Sequence, residues 1–393
     1  MIKRSASSIL RELARGFPVV AVTGPRQSGK TTLVKAMFPK KPYISLEEVQ
    51  LRDFAINDPK AFLKQFPNGA ILDEVQRCPD LFSYLQLIVD NDKRAGLFIL
   101  TGSQQFGLLS RITQSLAGRV ALVTLLPFSF VELQKSGVAP TSLEALLFQG
   151  LYPPVYDGRS TPTHWYDYYI RTYVERDVRQ LINIQDLSTF QRFVRICAAH
   201  TGQLVNLSGL ANDCGINHMT AKAWLSVLEA SYLIILLYPH FKNFNKRLVK
   251  SPKLYFLDTG LASYLLGLQT AEQLTLHPQR GALFETWVVS ELLKARFDQG
   301  LSSNLYFWRD HIGNEIDILV EQANRLIPIE VKSGQTFASD FLKGLKHWLQ
   351  LAGRSADKAW LVYGGNENQT LHNIKIVSWQ HIKDLVTALN NND

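Results

Sequence analysis

One stretch constrains this chain more than any other: "VVAVTGPRQSGKTTLV", residues 19–34, an apolar strand-like run that breaks at Gly24 and resumes as a helix-like run after Lys30. The break fits G-x-x-x-x-G-K-[ST] as Gly24-Pro25-Arg26-Gln27-Ser28-Gly29-Lys30-Thr31. Small residues let the backbone curl until successive N–H groups point inward at a polyanion, and the following helix presents its positive N-terminal end to it. In such a loop Lys30 reaches the β- and γ-phosphates of a nucleotide and the Thr31 hydroxyl takes Mg²⁺. Thr32 continues the helix beside them. The expected ligands are therefore ATP and Mg²⁺, and the expected fold is a sheet with a strand before the loop and a helix after it.

A second strand-like run, "GAILDEVQ" at residues 69–76, ends in Asp73-Glu74 and resembles a Walker B motif. An Asp at the end of a buried strand beside a phosphate loop can hold Mg²⁺ through water, and the adjacent Glu can orient or polarise the attacking water. A third run, "LFILTGSQ", ends in Thr101-Gly102-Ser103, where a polar side chain can contact a γ-phosphate. Ser103 is the candidate sensor, and a strand-ending turn is the alternative. "SRITQSLAGR" then precedes the strand-like "VALVTLLPF". Of Arg111 and Arg119, Arg119 is the better candidate for stabilising phosphoryl charge in trans from a neighbouring subunit, which implies a homo-oligomer. Its other reading is a cation that satisfies a helix C-terminus.

At 393 residues the chain is too long for one ordinary core, and 46% hydrophobic with 19% charged residues describes a folded, multidomain protein. The longest apolar stretches, such as residues 233–237 and 120–126, fall short of the roughly 20 residues a membrane span needs. The opening "MIKRSASSILRELARGF" is basic and amphipathic without the apolar core of a secretory signal, so a cytoplasmic location is expected. Cys78, Cys197 and Cys214 lie far apart, which suggests neither disulfide frame nor zinc site. Forty-two Lys+Arg against 34 Asp+Glu leave +8, which permits a polyanionic partner such as DNA.

"GPRQSGKTTL", "ILDEVQ", "LTGSQ" and "SLAGR" before "LPFSFVEL" together resemble the AAA-type (AAA+) ATP-binding domain of a large prokaryotic ATPase family, and the remainder resembles its companion carboxy-terminal domain of unassigned function. The resemblance implies an α/β multidomain protein. Its nucleotide domain is a five-stranded parallel α/β/α layer with the carboxylate strand next but one to the phosphate-loop strand. The expected segments are the ATPase domain at 1–135, a helical lid or linker at 136–186, a winged helix-turn-helix at 187–260 and a nuclease-like domain at 270–393. For the lid, Arg176 in "YVERDVRQL" is either a nucleotide-sensing arginine or part of an ion-pair surface with Glu175, Asp177 and Arg179.

The winged helix-turn-helix rests on a helix ending near His200, two short helical patterns separated by Gly215-Ile216-Asn217, and two strand-like segments. The presumed recognition helix offers His218, Thr220 and Lys222, poor material for base readout. The wing, "KNFNKRLVKSPK", carries Lys242, Lys246, Arg247, Lys250 and Lys253 and no acid, which suits phosphate neutralisation without sequence reading. A protein-docking surface is the alternative.

The final third places Glu285 on an amphipathic helix, then two alternating strands, "NEIDILVE" and "RLIPIEVKSG". If residues 322–325 form a symmetric turn, Asp317 stands opposite Glu330 and Glu315 opposite Lys332. Two opposed carboxylates repel each other, and a divalent cation between them removes that repulsion. Glu285, Asp317 and Glu330-Val331-Lys332 resemble the PD-(D/E)xK nuclease core, with Ile316-Asp317 in place of the leading Pro-Asp. The resemblance implies Mg²⁺ held by the three carboxylates and a catalytic Lys332. Two functions stand side by side. One is an ATPase coupled to nucleic acid through a winged helix and a Mg²⁺-dependent nuclease-like domain. The other is an ATP-dependent switch or assembly protein that binds a protein partner and carries a catalytically silent nuclease fold.

Overall fold

The computed structural model describes residues 2–102, 115–174, 186–240, 250–322, 325–353, 359–371 and 373–390. The chain divides into two compact units, Met1–Phe128 with Ala230–Tyr232 and Arg296–Ser302, and Ser129–Glu229 with Leu233–Ala295 and Ser303–Asp393.

The first unit runs α1 (Ser7–Gly16), β1 (Val19–Thr23), α2 (Lys30–Met37), β2 (Tyr43–Ser45), α3 (Val49–Asn57), α4 (Pro59–Lys64), β3 (Ile71–Asp73), α5 (Leu81–Asn91), β4 (Phe98–Thr101) and β5 (Val120–Thr124). The strands form one parallel sheet in the order β2-β3-β4-β1-β5. The carboxylate strand β3 is thus next but one to the phosphate-loop strand β1, as expected. Alternate residues of these strands feed two cores, because side chains of a strand point to opposite faces and helices cover both. Val19, Ala21, Leu72 and Leu100 pack with Phe62, Phe82 and Leu85 of α4 and α5. Val20, Val22, Ile71, Ile99 and Val123 pack with Leu10, Leu33 and Val34 of α1 and α2. A strand buried on both faces reads as a continuous apolar run, which is why residues 19–22 are so legible.

The second unit opens with α6 (Phe130–Lys135), α7 (Leu143–Gln149) and α8 (Pro162–Tyr169). Next come α9 (Leu187–Ala199), β6 (Gln203–Leu204), α10 (Leu207–Cys214), α11 (His218–Ala230), β7 (Ile234–Leu237) and β8 (Lys253–Phe256), the strands forming an antiparallel sheet ordered β6-β8-β7. Gly215, at φ +70°, ends α10, and Asn217 Oδ1 accepts from Thr220 N at 2.8 Å to start α11. After α12 (Thr259–Leu265) and α13 (Arg280–Phe297) come β9 (Leu305–Arg309), β10 (Glu315–Gln322), β11 (Arg325–Lys332), α14 (Lys343–Ala352), β12 (Ala359–Tyr363), β13 (Gln369–Leu371), β14 (Ile374–Ser378) and α15 (Ile382–Asn390). Their sheet, ordered β13-β14-β12-β11-β10-β9, is mixed: β10 runs antiparallel to both of its neighbours, β9 and β11, whereas β11, β12 and β14 run parallel.

The hairpin register agrees with the symmetric turn, since Ile318 pairs with Ile329 and Gln322 with Arg325. Its polar face, however, is not exposed. Asp317 is 8% and Glu330 7% accessible, because β10 and β11 are interior strands of the sheet rather than a free hairpin. The β9–β10 pairing shifts register between Ile316 and Leu319, an irregularity in the stretch that contains Asp317.

Candidate functional site

Thr23 ends β1, and the chain turns at Gly24, whose φ of +141° and approach to Leu125 leave no room for a side chain: a Cβ there would stand 2.1 Å from the Leu125 carbonyl oxygen. Gln27, at φ 60°, and Gly29, at φ 92°, complete a left-handed loop that delivers Lys30 to the first position of α2. Lys30 is buried and donates to its own loop, to Gly24 O at 3.0 Å and Pro25 O at 2.7 Å. Ser28 Oγ is buried with no hydrogen-bond partner among the described residues. Pro25 is buried, Arg26 and Gln27 half-buried, and Thr32 exposed.

Asp73 lies beside the loop and collects three hydroxyls. Thr31 Oγ1 donates to Asp73 Oδ2 at 3.0 Å, Tyr43 OH donates to the same oxygen at 2.6 Å, and Thr101 Oγ1 donates to Oδ1. Burial, then the hydrogen bond to Asp73, raise the Tyr43 phenol well above its ordinary value, so it remains a donor. Glu74, the next residue, holds a left-handed backbone at φ 54°. A non-glycine residue in that region is uncommon and concentrates at functional sites. Its carboxylate accepts from Gln76 Nε2. Ser103 and Arg111 lie outside the described residues. Thr101, two residues before Ser103, is the β4 side chain that reaches the carboxylate.

Arg4 is a brace that no spacing rule detects. It is 8% accessible and donates to Ser28 O at 2.7 Å, Leu126 O at 2.6 Å and Pro127 O at 3.3 Å, with its guanidinium 4.9 Å from the Phe128 ring centre. It ties the phosphate loop to the segment after β5. Arg4→Met keeps the aliphatic bulk and strands three carbonyls. It is expected to destabilise the first unit by about 2 kcal/mol, measured by urea denaturation, and to weaken ATP binding.

Arg119 sits elsewhere. It precedes β5, whose first residue pairs with Val19 at the start of β1, so it occupies the end of the sheet opposite the loop. Its guanidinium is paired with Asp90, Nη2 to Oδ2 at 3.1 Å, and also donates to Ala117 O at 3.1 Å. The structure does not bring it to the loop of its own chain.

The second unit gathers a different set. Glu285 on α13, Asp317 and Glu315 on β10, and Glu330 and Lys332 on β11 share one partly buried cluster with Lys253, which the sequence groups with the wing. Lys253 is not a wing cation facing solvent. It begins β8, the central strand of its sheet, is 3% accessible, and its Nζ lies 2.9 Å from Glu285 Oε1 and in contact with Glu315 Oε1. Tyr255, two residues on and so on the same face, donates to the same Glu285 oxygen. Lys332 Nζ lies 2.6 Å from Glu330 Oε1 and 3.5 Å from Asp317 Oδ2, and that Asp317 oxygen also accepts from Val331 N at 2.8 Å. Burial, then the Asp317 charge, push the Glu330 carboxyl up. Burial also pushes up Glu285, opposed by the Lys253 charge. Burial alone would lower the two lysines, but neighbouring charge, from Asp317 and Glu330 on Lys332 and from Glu285 among others on Lys253, holds both above their ordinary value.

Thr31 and Asp73 are hard oxygen donors already in contact, a donor set that fits Mg²⁺ beside a phosphate chain. The cluster of the second unit differs. Among the described residues no three acidic, His or Cys side chains are grouped so as to hold a metal ion, and lysine ammonium groups stand between the carboxylates. In this arrangement it does not fit the divalent ion that the sequence resemblance implies. Arg176, Lys242, Lys246 and Arg247 lie outside the described residues, and none of the described helices is long and apolar enough to cross a membrane.

Residues 16–134 match the family model described as AAA domain, residues 140–272 a Domain of unknown function (DUF8612), and residues 280–382 a Domain of unknown function (DUF4143). The uncharacterized protein Rv2008c of Mycobacterium tuberculosis is 33% identical over 338 residues, 85% of this chain and 74% of that protein. The uncharacterized protein Mb2031c of Mycobacterium bovis matches with the same identity and coverage. Among solved structures, the Walker-type ATPase PABY2304 of Pyrococcus abyssi superposes with a TM-score of 0.47 at 16% identity, over 67% of this chain and 96% of that one. AMPPCP-bound DnaA from Aquifex aeolicus gives 0.29 at 13% identity, over 57% and 85%. At those scores the superpositions add nothing to the assignment, which rests on the family models and the mycobacterial relatives. The chain belongs to the same family as these two mycobacterial proteins, a prokaryotic family of AAA-type ATPases in which the AAA domain is followed by a carboxy-terminal domain of unknown function.

Proposed function

We propose that the first unit hydrolyses ATP and that its nucleotide state controls how the second unit engages a nucleic acid. The observation that carries the first half is the convergence of Thr31, Tyr43 and Thr101 on Asp73 beside the Lys30 loop. Lys30 exchanges the Gly24 and Pro25 carbonyls for phosphate oxygens when ATP arrives. Tyr43 and Thr101 hold the Asp73 carboxylate toward Thr31, and those two residues would hold Mg²⁺, which supplies charge neutralisation on the phosphates. Glu74, on its left-handed backbone, orients and polarises the attacking water. Ser103 remains the candidate γ-phosphate sensor. Arg119 enters only from a neighbouring copy in a homo-oligomer, and only after leaving Asp90.

The second half rests on topology. The order α9-β6-α10-α11-β7-β8 supports reading this region as a winged helix. His218 and Lys222 are exposed on α11, and Lys250 is exposed before β8, cations suited to phosphate contacts rather than base readout. The α13-β9-β10-β11-α14-β12 order, with Glu285, Asp317, Glu330 and Lys332 on one site, supports a PD-(D/E)xK fold. The lysines among its carboxylates favour the second reading for this domain, a nuclease fold that is catalytically silent and serves a switch protein. Fluorescence anisotropy with labelled duplex DNA tests the coupling. The expected result is binding that weakens steeply with salt, ignores sequence, and differs between ATP and ADP. Absence of binding at low salt would leave a protein partner as the target.

A further inference from the structure

Among the described residues, three that are not glycine hold a left-handed backbone: Gln27 and Glu74, both in the nucleotide site, and Tyr232, at φ 57°. For a bulky residue that conformation is an outlier. Leu233 N donates to Leu228 O at 2.9 Å, so the last turn of α11 closes as a Schellman motif with Tyr232 at the left-handed position that glycine ordinarily fills. The end of α10 shows the ordinary form: Ile216 N donates to Ala211 O at 3.0 Å, and the left-handed residue is Gly215. A bulky residue kept at such a position points to a use for its side chain. Residues 230–232 are part of the first compact unit, whereas α11 up to Glu229 and β7 are part of the second. Tyr232 is 8% accessible, and its hydroxyl lies 3.2 Å from Thr23 Oγ1, which lies 3.4 Å from Thr124 Oγ1. Thr23 and Thr124 end β1 and β5 and pair with each other across the sheet. Directly after them come Gly24, where the phosphate loop turns, and Leu125, whose N–H donates to Thr23 O at 2.8 Å and whose carbonyl excludes a side chain at Gly24. Burial raises the Tyr232 phenol, so it stays protonated, a hydroxyl able to donate or accept among the threonines.

We infer that Tyr232 is a positioning residue of the nucleotide site: through Thr23 its hydroxyl holds the strand end from which the phosphate loop turns, and as the residue that closes α11 it couples that loop to the helix. The inference rests on reading the first unit as an ATP site. When nucleotide arrives, Lys30 leaves the Gly24 and Pro25 carbonyls, and the backbone that Thr23 leads into changes partners. A shift at Gly24 is carried by Thr23 to the Tyr232 hydroxyl. Tyr232 has little freedom to absorb it, because its ring is buried and the Leu233–Leu228 hydrogen bond fixes its backbone. Glycine there would end the helix equally well and carry nothing. Ser231 alone separates Tyr232 from α11, the helix that bears His218 and Lys222, so the chain itself supplies the link between nucleotide state and the cations proposed for phosphate contacts.

The test is hydrogen–deuterium exchange of the full chain with and without a non-hydrolysable ATP analogue and Mg²⁺, read by mass spectrometry over residues 24–34 and 218–233. In the unaltered chain the analogue should slow exchange at 24–34 and alter it by about twofold or more at 218–233. Tyr232→Phe, which keeps the ring and removes only the hydroxyl, should retain the response at 24–34 and lose the one at 218–233. Thr23→Val, which removes the partner hydroxyl, should do the same. Each variant reads the link independently, so a melting curve showing one of them unfolded leaves the other to decide. Slowed exchange at 24–34 without a response at 218–233 in the unaltered chain, or an undiminished response at 218–233 in either folded variant, would overturn the role of Tyr232 and leave the ATP site standing. No response at 24–34 in the unaltered chain would overturn the ATP site and the coupling with it.

Discussion

Glu74→Gln is expected to bind ATP with nearly unaltered affinity while turnover falls by about 10²–10⁴-fold, the usual contribution of a positioned acid–base group. Lys30→Ala is expected to lose affinity instead, by roughly 10- to 100-fold, because an ammonium hydrogen bond to phosphate contributes about 1.5–3 kcal/mol. The separation follows from geometry. Lys30 is held over its own loop by Gly24 O and Pro25 O, where it meets phosphate in the ground state as well as in the transition state. Glu74 follows the strand end that carries Asp73, on a left-handed backbone at φ 54°, and in the proposed mechanism it acts on the water rather than on the bound phosphates. Isothermal titration with a non-hydrolysable analogue and phosphate release on the same preparations distinguish the two. Equal losses of affinity in both variants would place Glu74 among the binding residues.

The largest structural effect is expected at Trp287. It lies in the middle of α13, is fully buried, and meets Phe130 edge-on at 5.8 Å and Phe284 in a stacked arrangement at 5.7 Å. Trp287→Ala removes the bulk that joins α13 to α6 and should cost about 3–5 kcal/mol. Trp287→Phe should recover much of that, helped by the loss of an indole N–H that is buried without an acceptor among the described residues. Chemical denaturation monitored by circular dichroism gives both values. A loss below about 1 kcal/mol for Trp287→Ala would mean that the surrounding side chains collapse into the space.

The phosphate loop, β1 and β3 were legible because local chemistry dictates them. Gly24 must be glycine where a Cβ would strike Leu125, and residues 19–22 are apolar throughout because helices cover both faces of their sheet. The β10–β11 register was legible for the same reason: a short turn fixes which residues pair. Arg4 was not, since its partners Ser28 and Leu126 lie 24 and 122 residues away and nothing local marks the contact. Tyr43 escaped notice because β2 is short and half-buried, without a strong pattern. Lys253 was grouped with the basic residues that precede it. Only the sheet order, which puts β8 between β6 and β7, shows that a strand there is buried and that its lysine faces Glu285. Asp317 and Glu330 were identified as a pair, but their burial depends on β9 and β12 flanking the hairpin.

A Lys30 loop and Asp73-Glu74 that form an ATP-hydrolysing site should make the unaltered chain release phosphate from ATP. Multiple turnovers are expected in the presence of Mg²⁺, lost on chelation with EDTA and in Glu74→Gln. Release that persists undiminished in Glu74→Gln, or no release from a preparation that binds ATP with Mg²⁺ present, would contradict it.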